Sequence, residues 1–145
     1  MKVAVGSDEQ TGLTEAVLQQ LRDRGHELEL VGPLRGEPLQ WPAVGRAVGE
    51  MVAAGRAETG VLFCWTGTGA SIAANKVPGI RAALCTDPGT AEGARRWNDA
   101  NVLVMSLRLT SPAVAGEMLD AWFSTQPDPS EEANIREVEA LSKPS

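Results

Sequence analysis

Val61-Leu62-Phe63-Cys64-Trp65-Thr66-Gly67-Thr68-Gly69-Ala70-Ser71-Ile72-Ala73-Ala74-Asn75-Lys76 is the stretch on which the fold turns. Its apolar run ends on a thiol, passes through a turn of alternating Gly and Thr, and opens into a small-residue segment of helical character. That order spells a strand, an anion-cradling loop and a helix start. Glycines let backbone amides approach a ligand closely, and the first helical turn aims its unsatisfied N–H groups and positive dipole end at the same spot. A ligand there carries or develops negative charge. Cys64 stands at the carboxyl end of the strand, where open parallel sheets bind their ligands.

The flanking segments continue the alternation of strand and helix. Lys2 to Gly6 reads as a buried first strand, with Ser7 to Gly12 as the loop at its carboxyl end. Leu13, Ala16, Val17 and Leu21 recur at helical spacing through Arg24, and Gly25 supplies the stop. Glu27 to Val31 alternates with polar residues, as an edge strand does. Gly32 through Pro42, with three prolines and two glycines, reads as an ordered loop or site rim. A helix starts at Pro42 and ends before Gly55, and the strand Thr59 to Cys64 comes next.

Beyond the glycine loop, a short helix reaches Lys76 and Pro78-Gly79 turns the chain. Ile80 to Cys85 gives a fourth strand, Thr90 to Trp97 a polar helix, and Val102 to Met105 a fifth strand. Ser111 caps a helix through Ser124 with Val114, Met118, Leu119 and Trp122 on one face. Gln126 to Ser130 is a hinge before a terminal helix over 131–141 with few apolar anchors of its own. Such a helix suits packing on a partner subunit or a loosely docked tail. The expectation is one α/β domain over residues 1–145, a doubly wound parallel sheet of five strands between helical layers.

Composition narrows the function classes. A formal charge of -6 argues against nucleic-acid or anionic-membrane partners, which need a basic surface. Two cysteines at strand ends read as reduced thiols of a cytoplasmic protein, and no stretch reaches membrane-spanning length or forms a signal-peptide core. With one histidine, His26, placed in a turn away from the strand ends, a metal site or a Ser-His-Asp triad is a poor reading. Gly67 to Ile72 lacks the third glycine of a dinucleotide fingerprint and the lysine of a P-loop, which counts against nucleotide binding.

Buried cysteine is often simply a small core residue, and Cys85 reads that way. Cys64 differs because a glycine loop and a helix N-terminus come after it, an environment that favours thiolate as base or nucleophile. Asp8 suits a helix cap or a sugar-hydroxyl ligand, and Asn98, Asp99 and Asn101 suit a turn. A chain with four Trp, two Phe and no Tyr places Trp41, Trp65 and Trp97 near strand ends, where they suit stacking on a sugar face or lining an interface.

Taken together, Gly6-Ser7-Asp8, Cys64 through Gly69, Ser71 through Lys76, Pro78 through Leu84 and Asn98 through Leu103 resemble the type B ribose-5-phosphate isomerase and galactose-6-phosphate isomerase family. The resemblance implies a Rossmann-like three-layer αβα sandwich, a homodimer or dimer of dimers with a shared site, and no metal or organic cofactor. It implies interconversion of an aldose and a ketose through an enediolate. The thiolate at Cys64 takes the proton next to the carbonyl, and amides of Gly67, Thr68, Gly69, Ala70 and Ser71 hold the developing oxyanion. Thr66 assists at the sugar oxygens, Asp8 binds hydroxyls and Asn98 contacts the carbonyl end. The small-molecule partner is a sugar or sugar phosphate.

Departures from the family pattern bear on the substrate. Glu9 and Trp97 stand where the family has histidines, the latter its ring-opening one; Trp41 replaces a tyrosine and Trp65 a glycine. The two phosphate-binding arginines fall on Ala133 and Glu137, with Arg136 beside them. A dianionic phosphate facing Glu9 and Glu137 meets repulsion unless Arg136, Arg95, Arg96 or Arg108 compensates. The favoured expectation is an isomerase with an altered substrate, unphosphorylated or differently substituted. The alternatives are a catalytically silent sugar-binding or partner subunit of a heteromeric isomerase, or an epimerase using the same base.

Overall fold

The structure, a computed structural model, describes residues 1–142. Five parallel strands, β1 (Lys2–Ser7), β2 (Glu27–Val31), β3 (Thr59–Cys64), β4 (Ala82–Leu84) and β5 (Val102–Ser106), lie in the order β2-β1-β3-β5-β4. Six helices connect and flank them: α1 (Gly12–Asp23), α2 (Trp41–Ala53), α3 (Thr68–Asn75), α4 (Pro88–Asn98), α5 (Pro112–Ser124) and α6 (Glu132–Ala140). The chain leaves β1 toward one side and returns through β3 on the other. That reversal opens a crevice at the carboxyl ends of β1 and β3.

The pleat sends alternate strand residues to opposite layers. Val3, Val5, Val61, Phe63, Leu103 and Met105 pack against α1, α4 and α5, while Ala4, Leu62, Cys64, Val102 and Val104 pack against α2 and α3. Every residue of β3 is buried. Fully burying a Leu or Phe side chain contributes roughly 1.5–3 kcal/mol, so the central strand anchors the loop at its end. The Rossmann-like three-layer sandwich therefore grows out of the apolar runs read in the sequence.

Glycines set how close α2 comes. A Cβ on Gly45 would lie 2.9 Å from the Ala70 carbonyl oxygen, and one on Gly49 would lie 3.0 Å from Val77 Cγ2. Larger residues there would push α2 off α3.

Some boundaries differ from the sequence reading. β4 keeps only three residues, because the Arg81 amide donates to the Asn101 side chain (2.8 Å) instead of a strand neighbour. On the outer border of β4, Asn75 Nδ2 donates to the Ala82 carbonyl (3.0 Å) and Asn75 Oδ1 accepts from the Ala82 amide (2.8 Å). Helix α4 starts at Pro88, not Thr90, since Asp87 caps it. Trp41 belongs to the first turn of α2, and the loop before it contains a 3-10 turn over Gly32–Arg35.

Helix α6 buries no residue completely. Arg81 ties it to the sheet edge through Glu139, and the same guanidinium donates to the Asp99 carbonyl (2.7 Å). Asp99, at φ 45°, closes α4 in the left-handed region and pairs with Arg95 (3.0 Å). Asp99 to Asn101 is thus a structural turn that follows Asn98, the last residue of α4. No helix among the described residues is long and apolar enough to cross a membrane.

Candidate active site

β3 delivers Cys64 to the crevice, 5 % exposed. Register places Ser7 of β1 opposite Phe63, so Asp8 emerges beside Cys64. The Ser7 hydroxyl donates to the Glu9 carbonyl (2.5 Å) and accepts the Glu9 amide (3.2 Å), a tight turn that sends Glu9 to the surface. Asp8 Oδ1 is buried and has no hydrogen-bond partner among the described residues. Burial pushes the Asp8 carboxyl above its ordinary value; its own backbone amide opposes this and the neighbouring Glu9 reinforces it. An unpartnered buried acceptor is costly unless a ligand hydroxyl completes it.

Beyond Cys64 the chain turns through Gly67, at φ 81°, into α3. A Cβ there would lie 2.5 Å from Leu84 Cδ1 and 3.3 Å from the Ser106 amide nitrogen, so only glycine fits both the dihedral and the space. Among the described residues no side chain caps this helix. The Ser71 amide is the first to find an intrahelical acceptor, the Gly67 carbonyl (3.1 Å), which leaves the amides of Thr68, Gly69 and Ala70 for a ligand. Thr66 and Thr68 share a hydroxyl–hydroxyl hydrogen bond (2.8 Å) over this opening. Trp65 stands at the rim, 57 % exposed, and the ring of Trp41 covers Gly69.

The loop after β5 straps this turn from behind. Ser106 Oγ donates to the Trp65 carbonyl (3.0 Å), as does the Arg108 amide (3.1 Å), and the Leu107 amide donates to the Cys64 carbonyl (3.0 Å). Arg108 is exposed and forms no salt bridge among the described residues. In the sequence Arg108 is only one candidate cation of several. The others are committed elsewhere: Arg95 to Asp99, Arg96 to Glu92 and Arg136 to Glu132 on its own helix. Ser106 escapes a reading of the sequence, because nothing in a strand-terminal serine announces that it holds the neighbouring loop.

The sequence-selected residues fall into two groups. Asp8, Glu9, Trp41, Cys64, Trp65, Thr66 and Gly67 to Ser71 gather at the carboxyl end of the sheet. Trp97, Asn98 and Arg136 do not join them within one chain. Asn98 closes α4 just before β5 begins, whereas Cys64 pairs with Ser106 at the far end of β5. At about 3.3 Å per residue, the four steps from Gly60 to Cys64 span roughly 13 Å. Trp97, 55 % exposed, folds back over Gly93 and with Asn98, Asn75, Ile135 and Val138 lines a cavity of about 480 Å³ between the β4 border and α6. Ala133, Arg136 and Glu137 are exposed on α6.

The chain is similar to known proteins. The family model described as Ribose/Galactose Isomerase matches residues 3–141. A ribose-5-phosphate isomerase B of Escherichia coli is 38 % identical over 127 residues, covering 86 % of this chain and 85 % of that protein. A 4-deoxy-4-sulfo-D-erythrose isomerase of a Clostridium species is 35 % identical over 127 residues, covering 86 % and 80 % respectively. The solved structure of a Trypanosoma brucei type B ribose 5-phosphate isomerase superposes with a TM-score of 0.88 at 37 % identity, covering 97 % of each chain. With the Cys64 crevice and the open α3 turn in the order that the family model spans, the chain belongs to the Ribose/Galactose Isomerase family of aldose–ketose isomerases.

Proposed function

We propose that Cys64 is the base of an enediolate isomerisation and that the substrate's tail carries less negative charge than a phosphate. The observation that carries the first half is the thiol at a strand end beside three uncommitted amides. Cys64 thiolate removes the proton from the carbon next to the carbonyl; the released electron pair makes the enediolate, and its negative charge settles on the former carbonyl oxygen against the amides of Thr68, Gly69 and Ala70. Transfer of the neighbouring hydroxyl's proton to that oxyanion, and return of the carbon-bound proton from the Cys64 thiol to the former carbonyl carbon, complete the exchange of aldose and ketose. Asp8 accepts from a sugar hydroxyl, Thr66 assists at the sugar oxygens and Trp65 lines the rim.

The second half rests on the charges present. Among the described residues, Arg108 is the single free cation strapped to the site loop, and Glu9 lies at the same carboxyl end of the sheet. The relative that acts on a sulfonated four-carbon sugar has a tail that bears one negative charge, and a similar tail or a neutral one suits this charge count. A second copy of the chain completes the site by bringing its Trp97, Asn98 and α6 to the Cys64 crevice, since one chain holds them apart. The exposed apolar surface of Trp97 and Val138 fits burial in such a homodimer or dimer of dimers.

The test incubates the protein in heavy water with pentoses, tetroses and hexoses, free, phosphorylated and sulfonated, and tracks deuterium entry beside the carbonyl by NMR. Exchange on free or sulfonated sugars, lost in Cys64→Ala, is the expected outcome. Preferential exchange on a phosphorylated sugar would overturn the substrate half. Silence across the panel with Cys64 reduced would favour a binding subunit.

A further inference from the structure

The indole of Trp41 lies against the backbone of Gly69 in the first turn of α3. A Cβ on Gly69 would stand 2.9 Å from Trp41 Cε3, 3.0 Å from Cζ3 and 3.1 Å from Cδ2. Three ring carbons at nearly one distance mean that the ring meets Gly69 with its face. Trp41, Gly45 and Gly49 succeed one another at intervals of four along α2, on the side that meets α3. The two glycines bring α2 close enough for the ring to bear on Gly69 at the top of that contact. From the other flank, Gly67 is wedged against Leu84 and the backbone of Met105 and Ser106. The open end of α3 is therefore gripped on both sides.

We propose that Trp41 is a positioning residue: its ring clamps Gly69 and thereby fixes the direction of the Gly69 and Ala70 amides toward the reacting oxygen. This deepens the enediolate reading above and rests on it. The role departs from the sugar contact expected of Trp41 from the sequence. A face-on ring occupied by Gly69 has given that face to the protein. Preorganised donors stabilise a developing oxyanion only if nothing reorients them as the charge appears, and a stiff aromatic side chain on an otherwise uncapped helix end supplies that restraint.

The test is a size swap. In Trp41→Ala, 15N relaxation order parameters of the Gly69, Ala70 and Ser71 amides fall from about 0.85 toward 0.6. In the same variant kcat for proton exchange drops about tenfold while KM stays within about twofold, as expected when donors are misplaced and binding is kept. Gly69→Ala alone does the same, because its methyl displaces the ring. Combined with Trp41→Ala, the methyl enters the vacated space, so the double variant is more ordered and faster than either single one. Trp41→Phe, which keeps a smaller ring and is the milder change for folding, falls between wild type and Trp41→Ala. Unchanged order parameters in Trp41→Ala, or a rise in KM with kcat kept, would overturn the clamp in favour of a pocket wall. If the wild-type protein exchanges no proton on any sugar, the enediolate reading fails, and the order parameters and the swap alone decide whether Trp41 holds the turn.

Discussion

Cys64 and Cys85 both stand where a parallel strand ends and a helix is about to begin, on opposite faces of one sheet. The helix start downstream of each thiol separates them. After Cys85, Asp87 accepts from the Thr90 amide (2.7 Å) and hydroxyl (2.9 Å), so the N-terminus of α4 is already occupied by a carboxylate. After Cys64, Gly67 offers α3 no side-chain cap, and the amides stay open. Burial pushes the Cys85 thiol up to about 12, reinforced by the Asp87 charge. One strand end is closed by the protein itself; the other is left for a ligand to close.

The contrast breaks first at the thiols. Cys64→Ala lowers the exchange rate by about 10³-fold, the range for loss of a general base, while Cys85→Ala keeps it within about twofold. A Cys85 variant that lost exchange as well would erase the distinction. Next in size, Arg108→Ala raises KM about tenfold for an anionic substrate and leaves a neutral one unchanged, since a charged hydrogen bond is lost only where a charge is met.

Alkaline unfolding sharpens the comparison from the Cys85 side. Its native pKa lies above the ordinary value, so the stabilisation is complete below pH 9.0 and drains as pH rises toward about 12. Cys85→Ala therefore flattens the fall in urea midpoint over that window. The smallest effect belongs to the cap. The Thr90 amide, then its hydroxyl, hold the Asp87 carboxyl below its ordinary value, so its contribution is present at neutral pH and is lost as acid protonates it. Asp87→Ala slightly lowers the midpoint at pH 7, converges on wild type in acid, and leaves proton exchange untouched.

Much of the fold is legible in the sequence because buried parallel strands read as plain apolar runs, and glycine and proline punctuate them. β1, β3 and the loop from Cys64 to Ser71 are visible on those grounds. The shortness of β4 is not. Ile80, Arg81 and Cys85 look strand-like, and only the structure shows the Asn101 side chain taking the Arg81 amide. The site is legible as a set of residues and illegible as a shape. Trp97 and Asn98 occupy family positions along the chain and Arg136 sits one residue from such a position, but place along the chain says nothing about which end of the sheet they occupy. Trp41 reads as a rim aromatic because its partner, the missing side chain of Gly69, is a space and not a residue.

The side chain of Asn75 has a consequence outside catalysis. A sheet border offers unpaired amides and carbonyls on which a foreign strand can grow, and β4 is such a border. Its outward Ala82 amide and carbonyl are both taken by the Asn75 carboxamide, which imitates one residue of a neighbouring strand and then stops. The border is so short that this single imitation leaves little to build upon. Asn75 and the α6 helix that Arg81 holds at the same edge thus both deny this border to a foreign strand, and Asn75→Ala is expected to raise light scattering at high protein concentration while leaving turnover unchanged.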